Sequence, residues 1–421
     1  MIKSFKLPFI FMVILSLSIT IAGCGSSDSN STAEKDRDYF KIGVITELSG
    51  DNAYGGNLTR RGYESWMEEA NKNGGVEIDG KKYKVEMVYA DAQSKPEVGA
   101  DAVERMITKE KVDFILGPYS SGVTLAVAPI VEKYRIPMIT GSAESPMIWL
   151  QKFKYTFGTI PAVNLTASYP IRTLDNKGAK SIAIIGMNDA FSKATAETFK
   201  ATAEEVGMEI LKYDIVPAGT DFTPLLSAIK ELNPDIVGIA GHEKEHMEVI
   251  KASKSLDFIP QTFVMHYGVT NPDFVNNLGK DADYVFGASV WTKDSGFQDP
   301  IFGTTEDYAE AYKTRWGDYP DYTAAGCTTA GVVFHEAIQK AKVTPPLDDK
   351  EKDALVKALE EISVETLYGK VEFATEGDWY HNNTGLNALT IQILDGQVKI
   401  VGPPEVQKAD PVYPMPGWDE R

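Results

Sequence analysis

The stretch VDFILGPYSSGVTLAVAPIV (residues 112–131) leads from a short apolar run, through a turn, into a helical pattern. A short apolar run bounded by turn residues, as at 112–116, is typical of a buried strand. Gly117-Pro118 predicts the turn, and the apolar spacing from 123 to 131 predicts a helix with one buried face. This order of strand, turn and helix predicts an α/β fold with a parallel sheet.

The same alternation recurs on both sides of this stretch and predicts two α/β lobes. In the first lobe the expected strands are 42–46, 83–89, 112–116 and 136–140, and the expected helices are 57–71 and 95–109. In the second lobe the expected strands are 181–185, 209–215, 236–240 and 262–266, and the expected helices are 191–206, 223–232 and 243–253.

The last third of the chain departs from this alternation. A strand at 284–291 precedes three helical patterns without strands between them, which suggest a return to the first lobe, at 307–316, 323–341 and 350–362. Strands at 386–394 and 398–401 flank Asp395-Gly396, a typical hairpin turn. Beyond this hairpin, the proline-rich residues 403–421 predict an extended tail.

The composition narrows the classes of function. The 421 residues include 42 lysines and arginines against 60 aspartates and glutamates, for a net charge of −18. A surface of this sign repels phosphate backbones, so we do not expect nucleic-acid binding. The length favours two cores. Besides Cys24 the chain has Cys327, which is interpreted as buried packing or, alternatively, as a reactive thiol.

Residues 1–23 have the pattern of a secretion signal. Lys3 and Lys6 precede an apolar run at 7–15, and small residues precede Cys24 in IAGC. This end resembles a bacterial lipobox, which implies cleavage before Cys24 and lipid attachment to its thiol. The alternative is a retained membrane helix, although a proline and polar residues interrupt the roughly 20 apolar residues that a span needs. The small polar residues 24–38 predict a flexible tether.

Several segments, taken in order, resemble the type I periplasmic solute-binding proteins, and in particular the leucine/isoleucine/valine-binding family of ABC importers. They are KIGVITELSG (41–50), NKNGGV (71–76), YADA (89–92), GPYSS (117–121) and IPMIT (136–140). The resemblance extends from residue 40 to about residue 402. It implies two doubly wound α/β lobes joined by three crossover strands, with the ligand in the cleft between the lobes and a hinge that closes on it.

The resemblance also implies that each lobe is discontinuous in sequence. The crossings are expected near Ile160, Trp291 and Phe373. Lobe 1 would then comprise residues 39–160 and 292–373. Lobe 2 would comprise residues 161–291 and 374–402, followed by the tail at 403–421.

Two first-lobe loops carry the polar contacts that the resemblance implies. A helix start has unpaired N–H groups that suit an anion, and Ser121, beside Ser120, aligns with the serine that holds the ligand carboxylate in the family. The alternative for either serine is a plain N-cap. Ser142, Ala143 and Glu144 occupy the loop that gives a carbonyl to the ligand ammonium and a threonine hydroxyl to its carboxylate. Glu144 departs from that pattern, and it either binds an amine or amide or caps the next helix.

Aromatic residues supply the rest of the expected site. Tyr54 matches a cleft aromatic that covers the ligand, with an exposed loop tyrosine as the alternative. Phe191 and His242 stand where the family often has tyrosine, and Tyr267 stands where amino-acid binders have an acid for the ligand ammonium. Because that acid is missing, aromatic or aliphatic carboxylates and amides become alternative candidates to an amino acid as the ligand. Trp291 either walls the pocket or packs at the hinge.

The segment HEKEH (242–246) also fits the H-E-x-x-H pattern, in which two histidines bind zinc and the glutamate is a general base. It follows directly on the strand at 236–240, in a parallel α/β lobe. His266, His335 and His381 are distant in the sequence, so no third zinc ligand stands nearby. A zinc hydrolase is therefore the least favoured interpretation, and an incidental or cleft-lining role for His242 is preferred.

The sequence thus predicts a solute-binding lipoprotein on the extracytoplasmic side of the cell membrane, which is not an enzyme and needs no cofactor. It would capture a branched-chain or other amino acid, or a related small carboxylate, and deliver it as a monomer to the membrane subunits of an ABC permease. The alternative is a sensor that binds an aromatic carboxylate or amide and signals to a receptor.

Overall fold

The computed structural model describes residues 37–421. The expected signal, Cys24 and residues 24–36 of the expected tether lie outside the described residues. The strands, in chain order, are β1 (Tyr39–Thr46), β2 (Val76–Ile78), β3 (Lys81–Asp91), β4 (Phe114–Leu116), β5 (Met138–Thr140), β6 (Thr156–Gly158), β7 (Ser181–Met187), β8 (Glu209–Val216), β9 (Ile236–Ala240), β10 (Thr262–His266), β11 (Phe286–Ser289), β12 (Gln298–Asp299), β13 (Gly303–Thr304), β14 (Val364–Thr366), β15 (Gly369–Val371), β16 (Leu389–Leu394) and β17 (Gln397–Gly402).

The α-helices surround these strands and mostly alternate with them along the chain. They are α1 (Ala53–Lys72), α2 (Pro96–Arg105), α3 (Ser121–Tyr134), α4 (Pro146–Trp149), α5 (Val163–Thr166), α6 (Ser168–Asn176), α7 (Ala190–Val206), α8 (Phe222–Leu232), α9 (Glu243–Ser255), α10 (Pro272–Leu278), α11 (Thr305–Trp316), α12 (Tyr322–Ala341) and α13 (Asp349–Glu360). None of the helices within residues 37–421 combines the length and hydropathy that crossing a bilayer requires.

The strands form two main sheets, with the orders β2-β3-β1-β4-β5-β6 and β17-β16-β11-β10-β9-β7-β8. Most neighbours are parallel, whereas β2, β16 and β17 pair antiparallel. In each sheet the chain winds outward in both directions from an inner strand, β1 or β7. The predicted α/β class with two parallel-rich sheets is therefore confirmed, as is the hairpin at Asp395-Gly396.

Alternation along β1 explains why the first sheet is covered on both faces. Val44 packs in a core that includes Trp66 of α1, whereas its neighbour Ile45 packs in a core that includes Val103 of α2 and Val127 of α3. Successive side chains of a strand point to opposite faces of the sheet. The sheet therefore lies between two layers of helices.

Helix α12 packs closely against α1 and so joins the first sheet's core. A Cβ added at Gly62 would lie 2.4 Å from the Ala324 carbonyl oxygen, and one at Gly331 would lie 2.3 Å from Trp66. Glycine at these two positions allows the helices to approach this closely. Cys327 lies in this contact and is fully buried, and burial raises the pKa of its thiol to about 12. Because the thiolate is the reactive form, packing is the role that the structure supports for Cys327.

Two chain segments run side by side where the first sheet leads into the second. The Asn382 side chain donates to the Ile160 carbonyl (2.6 Å) and accepts from the Ala162 N–H (2.8 Å). Asn383 donates to the Thr159 carbonyl (3.0 Å). The two asparagines therefore hold the backbone of residues 159–162 to that of residues 382–383.

Several predicted boundaries were wrong. The helix expected at 95–109 ends at Arg105 and continues as a π-helical turn, Met106–Glu110. The strands expected at 284–291 and 386–394 are shorter, at Phe286–Ser289 and Leu389–Leu394. The proline-rich tail is not simply extended, because Met415 is buried and the Arg421 guanidinium donates to the carbonyls of Asp281 (3.2 Å) and Asp283 (3.3 Å).

Replacing Asn382 with alanine should lower the free energy of unfolding by about 1–3 kcal/mol, because it leaves a buried carbonyl and a buried N–H without partners. The exposed Asn387 provides the matched control, since the same change there should have an effect within about 0.5 kcal/mol. Urea unfolding of the two variants measures this difference. Equal midpoints for the two variants would contradict the role assigned to Asn382.

Candidate functional site

The loops at the carboxyl ends of both sheets meet around one small cavity. The loops after β4 and β5 come from the first sheet, and those after β7, β9 and β10 come from the second. This inner cavity has a volume of about 10 Å³, room for about one water molecule. Its lining residues are Tyr119, Ser120, Ser121, Ser142, Glu144, Phe191, His242, Tyr267 and Thr323.

The structure brings together seven of the nine residues that the sequence singled out: Ser120, Ser121, Ser142, Glu144, Phe191, His242 and Tyr267. Ala143 is buried beside them, and its N–H donates to Thr140 Oγ1 (3.2 Å). Tyr54 lies outside the lining and donates its hydroxyl to Asn271 Oδ1 (3.2 Å). Tyr119 and Thr323 line the inner cavity but were missed, because neither stands in a position that sequence reasoning marked.

The two serines at the start of α3 have different roles. Ser120 is the N-cap, since its Oγ accepts from the Val123 N–H (3.3 Å). Ser121 is buried, and its Oγ accepts from the N–H groups of Glu144 (3.2 Å) and Ser145 (3.0 Å). A hydroxyl that already accepts twice still has its hydrogen to donate. The geometry therefore leaves Ser121 able to donate a hydrogen bond into the inner cavity.

Glu47 positions one of the cavity loops, and the sequence analysis missed it. Its fully buried carboxylate accepts from the N–H groups of Tyr119 (3.2 Å) and Ser120 (3.1 Å). Burial raises the pKa of Glu47, although its hydrogen bonds with Ser120 oppose that shift. Glu47 follows β1 directly, and an acid at the carboxyl end of a predicted strand could have signalled a loop-positioning role. It holds the loop that carries Ser120 and Ser121.

Glu144 bridges the two halves of the site. Its Oε1 accepts from the Tyr322 hydroxyl (2.9 Å), and its Oε2 lies 3.4 Å from His266 Nε2. Glu144 and His266 are both buried. The alternative that Glu144 caps the next helix was wrong, because its carboxylate contacts Tyr322 and His266 and α4 has no side-chain cap. Ser142 lies beside this bridge and donates its hydroxyl to the Pro118 carbonyl (3.4 Å).

His242 supplies a positive charge at the other wall of the cavity. Its Nδ1 lies 3.2 Å from the Tyr119 hydroxyl oxygen, and its Nε2 lies 3.7 Å from Asp189 Oδ2. Burial opposes the charge on the ring, but Asp189 outweighs that effect and raises the pKa of His242 to about 9. Burial likewise opposes ionisation of Asp189, yet His242 and Ser192 hold the pKa of Asp189 at about 2. The two groups therefore form an ion pair at neutral pH.

Aromatic rings enclose the remaining side of the inner cavity. The ring of Phe191 lies 5.4 Å from that of His242, and the ring of Tyr267 lies 6.2 Å from that of Tyr119, measured between centroids. Trp291 follows β11 and is buried, and its Nε1 donates to the Leu367 carbonyl (2.9 Å). Packing is thus one role of Trp291, and it does not line the inner cavity.

The H-E-x-x-H segment forms the first turn of α9 and its N-cap in this structure. The Glu245 carboxylate accepts from the His242 N–H (3.3 Å). His246 is fully buried, and burial lowers its pKa. Among residues 37–421, no group of three or more histidine, cysteine, aspartate or glutamate side chains is arranged to hold a metal ion.

Three side-chain contacts link the halves of the cleft. Each joins a residue that follows a first-sheet strand to one from the carboxyl end of a second-sheet strand: Tyr54 with Asn271, Tyr119 with His242, and Glu144 with His266. In each sheet the site lies next to the strand at which the strand order changes direction, β1 in the first sheet and β7 in the second. Such switch points are where α/β sheets bind ligands.

A family model described as periplasmic binding protein matches residues 40–392. The chain is 27% identical over 209 residues to Leu/Ile/Val-binding protein homolog 3 of Brucella melitensis, an alignment that covers 48% of this chain and only 55% of that relative.

Two solved structures share the fold. The branched-chain amino acid transporter substrate-binding protein of Streptococcus pneumoniae, in complex with isoleucine, has a TM-score of 0.74 and 22% identity, and the match covers 86% of this chain and 97% of that one. A solute-binding protein of an ABC transporter from Rhodopseudomonas palustris, in complex with 3,4-dihydroxybenzoic acid, has a TM-score of 0.73 and 21% identity. That match covers 86% of this chain and 95% of the other. The chain belongs to the family of type I periplasmic binding proteins that includes the Leu/Ile/Val-binding proteins.

Proposed function

We propose that this protein is the solute-binding lipoprotein of an ABC importer, which captures an amino acid or a related small carboxylate outside the cytoplasmic membrane. The observation that carries the proposal is the inner cavity between the two sheets, where hydroxyl groups and a cationic His242 face each other. Two proteins that share the fold bind isoleucine and 3,4-dihydroxybenzoic acid, which supports a small ligand that carries a carboxylate.

The proposed mechanism is closure of the cleft on the ligand. Ser121 would donate to the ligand carboxylate near the start of α3, where helix N–H groups favour an anion. Ser142 would donate as well by exchanging its long hydrogen bond to the Pro118 carbonyl (3.4 Å) for one to the ligand. Phe191, His242 and Tyr267 would cover it from the second sheet, with Glu144 beside them. A ligand that contacts both halves stabilises the closed form by its differential affinity for that form. The closed, loaded protein would then dock on the membrane subunits of the permease as a monomer.

Lipid attachment at Cys24 would keep the protein at the membrane surface. The tether of residues 24–38 would let the folded part reach the permease. Acyl chains contribute about 0.8 kcal/mol per buried CH₂ group, so more than one chain is a stable anchor. The proposal needs no cofactor.

Binding itself can be tested by thermal unfolding with isoleucine, other aliphatic amino acids, 3,4-dihydroxybenzoate and short-chain carboxylates. A true ligand at 100 times its Kd should stabilise the protein by about 2.7 kcal/mol. For that ligand, Ser121→Ala should weaken binding about tenfold, because a hydrogen bond to a charged group is lost.

The control for Ser121→Ala is Ser145→Ala. Ser145 is a buried serine of the neighbouring loop, which follows β5, and it does not line the inner cavity. Calorimetric titration of both variants, well below their unfolding temperatures, separates lost binding from lost stability. Equal affinities for the two variants would remove Ser121 from the site.

The ion pair of His242 with Asp189 predicts a pH-dependent contribution to stability. The pKa of His242 is about 9 in the folded protein and about 6.5 in an unfolded chain. Its stabilisation is therefore complete below about pH 6.5 and is lost as the pH rises through about 9. Asp189→Asn keeps the N-cap of α7 but should lower the pKa of His242 from about 9, because the main group that opposes the effect of burial is removed.

NMR titration of the histidine side chains measures this change. His335, whose pKa burial lowers to about 4, is the internal control, and its pKa should be the same in both proteins. An unchanged pKa for His242 in Asp189→Asn would show that Asp189 is not the cause.

The lipid anchor predicts that Cys24→Ala moves the protein from the membrane fraction to the soluble extracytoplasmic or secreted fraction. Cys327→Ala is the matched control, because that thiol is buried in the α1–α12 contact. Fractionation of cells and detection of the protein measure the outcome. A Cys24→Ala protein that stays with the membrane would contradict lipid attachment at this residue.

A further inference from the structure

A second and larger cavity adjoins the inner one. This outer cavity has a volume of about 500 Å³ and is lined by residues that include Thr270, Asn271, Trp291, Asp321 and Tyr322. The start of α12 and the loop after β10 contribute to both cavities. Thr323 and Tyr267 from these two segments line the inner cavity, and their neighbours Tyr322 and Thr270 line the outer one. The outer cavity thus offers the space that the inner cavity lacks.

Three buried polar atoms in the lining of the outer cavity have no partner within residues 37–421. One is Thr270 Oγ1, and the other two belong to the almost fully buried side chains of Asp321 and Asn271. Asp321 is 1% exposed, and its Oδ1 accepts from the Ala324 N–H (2.8 Å), but its Oδ2 accepts from no group. Asn271 is also 1% exposed, and its Oδ1 accepts from Tyr54, but its Nδ2 donates to no group. Buried polar atoms are nearly always paired in proteins. Asp321 Oδ2 is an acceptor and Asn271 Nδ2 is a donor.

The titratable groups around this pair are mainly acids. Burial raises the pKa of Asp321 to about 7 and also raises the pKa of Glu243, so a cationic donor nearby would favour their ionised forms. Glu243 is 7% exposed, and its Oε2 also lacks a partner in the described chain. Besides burial, the charges of Asp321, Asp273 and Glu243 raise the pKa of the Tyr54 hydroxyl, which places these acids around one point. Lys293 lines the outer cavity, but its Nζ lies 2.6 Å from Asp294 Oδ1. The local field therefore favours a group with N–H donors over an anion.

We propose that the outer cavity is a subsite for a nitrogen-bearing group of the ligand, which donates N–H to Asp321 Oδ2 and presents an oxygen to Asn271 Nδ2. An α-amino acid and a primary amide both carry a donor nitrogen close to an acceptor oxygen. A simple carboxylate carries no such donor. The inference rests on the solute-binding function proposed above and accounts for how a nitrogen group could be held when position 267 is tyrosine.

The test compares two pairs of compounds in calorimetric titrations of the purified full chain. Isoleucine and 3-methylpentanoate differ only in the ammonium group, and pentanamide and pentanoate differ in the amide nitrogen. Asp321→Asn keeps the side-chain oxygen that caps α12 but puts a donor where Oδ2 was. Asn271→Asp keeps the oxygen that accepts from Tyr54 but removes the donor.

For a nitrogen compound that binds the wild type, each of these variants should weaken binding about tenfold or more. The affinity for its nitrogen-free partner should change less than about twofold. The control is Asp378→Asn, which removes an equal charge from an exposed side chain that lines neither cavity and should bind as the wild type does. Retained unfolding midpoints show that the variants fold.

The possible failures are distinguishable. If 3,4-dihydroxybenzoate or a simple carboxylate binds and neither nitrogen compound does, the inference is overturned and the solute-binding function stands. The same holds if Asp321→Asn and Asn271→Asp bind a nitrogen compound as tightly as the wild type. If none of these compounds binds the wild type, the proposed function fails for these ligand classes, and the inference fails with it.

Discussion

A carboxylate buried between the two sheets is the constraint on which the geometry of the cleft depends. Glu144 is 4% exposed, and a buried charge is tolerated only where partners replace water. Tyr322 at the start of α12 and His266 at the end of β10 are those partners. Because the three groups come from separate elements, their pairing fixes how the loop after β5, the start of α12 and the end of β10 approach one another.

The inner and outer cavities of the cleft differ in the kind of charged group that they favour. The start of α3 with Ser121, and the cationic ring of His242, favour an anion in the inner cavity. Asp321 and Glu243, beside the outer cavity, favour a group with N–H donors. The proposed ligand classes fit this division in different degrees. A simple carboxylate would use one end of the cleft, whereas an amino acid or an amide-bearing acid has groups for both ends.

The sequence predicted those features that depend on residues close together in the chain, and it missed those that depend on partners far apart in the chain. Strands β9 and β10 were predicted to the residue because apolar runs bounded by turn residues are local signals. Most of the inner cavity's lining was predicted from the resemblance to the Leu/Ile/Val-binding family, and the strand ends of a parallel sheet agree with it as the place for binding loops. Glu47, Asn271 and Asp321 were missed, since their importance lies in partners that are distant in the sequence or lacking. The sequence alone could not tell that Ser120 rather than Ser121 caps α3, because the two serines are adjacent and only their partners differ.

The contacts between the halves also determine what a ligand must offer. Each hydrogen bond across the cleft contributes about 0.5–1.5 kcal/mol net, and those of charged groups contribute more. The inner cavity has room for about one water molecule, so a ligand that enters it must separate side chains such as Tyr119 and His242. Closure around the ligand is then favoured only if the ligand's contacts to both halves exceed those that it displaces. A ligand with polar groups at both ends can replace bonds to both sheets, and for that reason affinity and closure would depend on the same atoms.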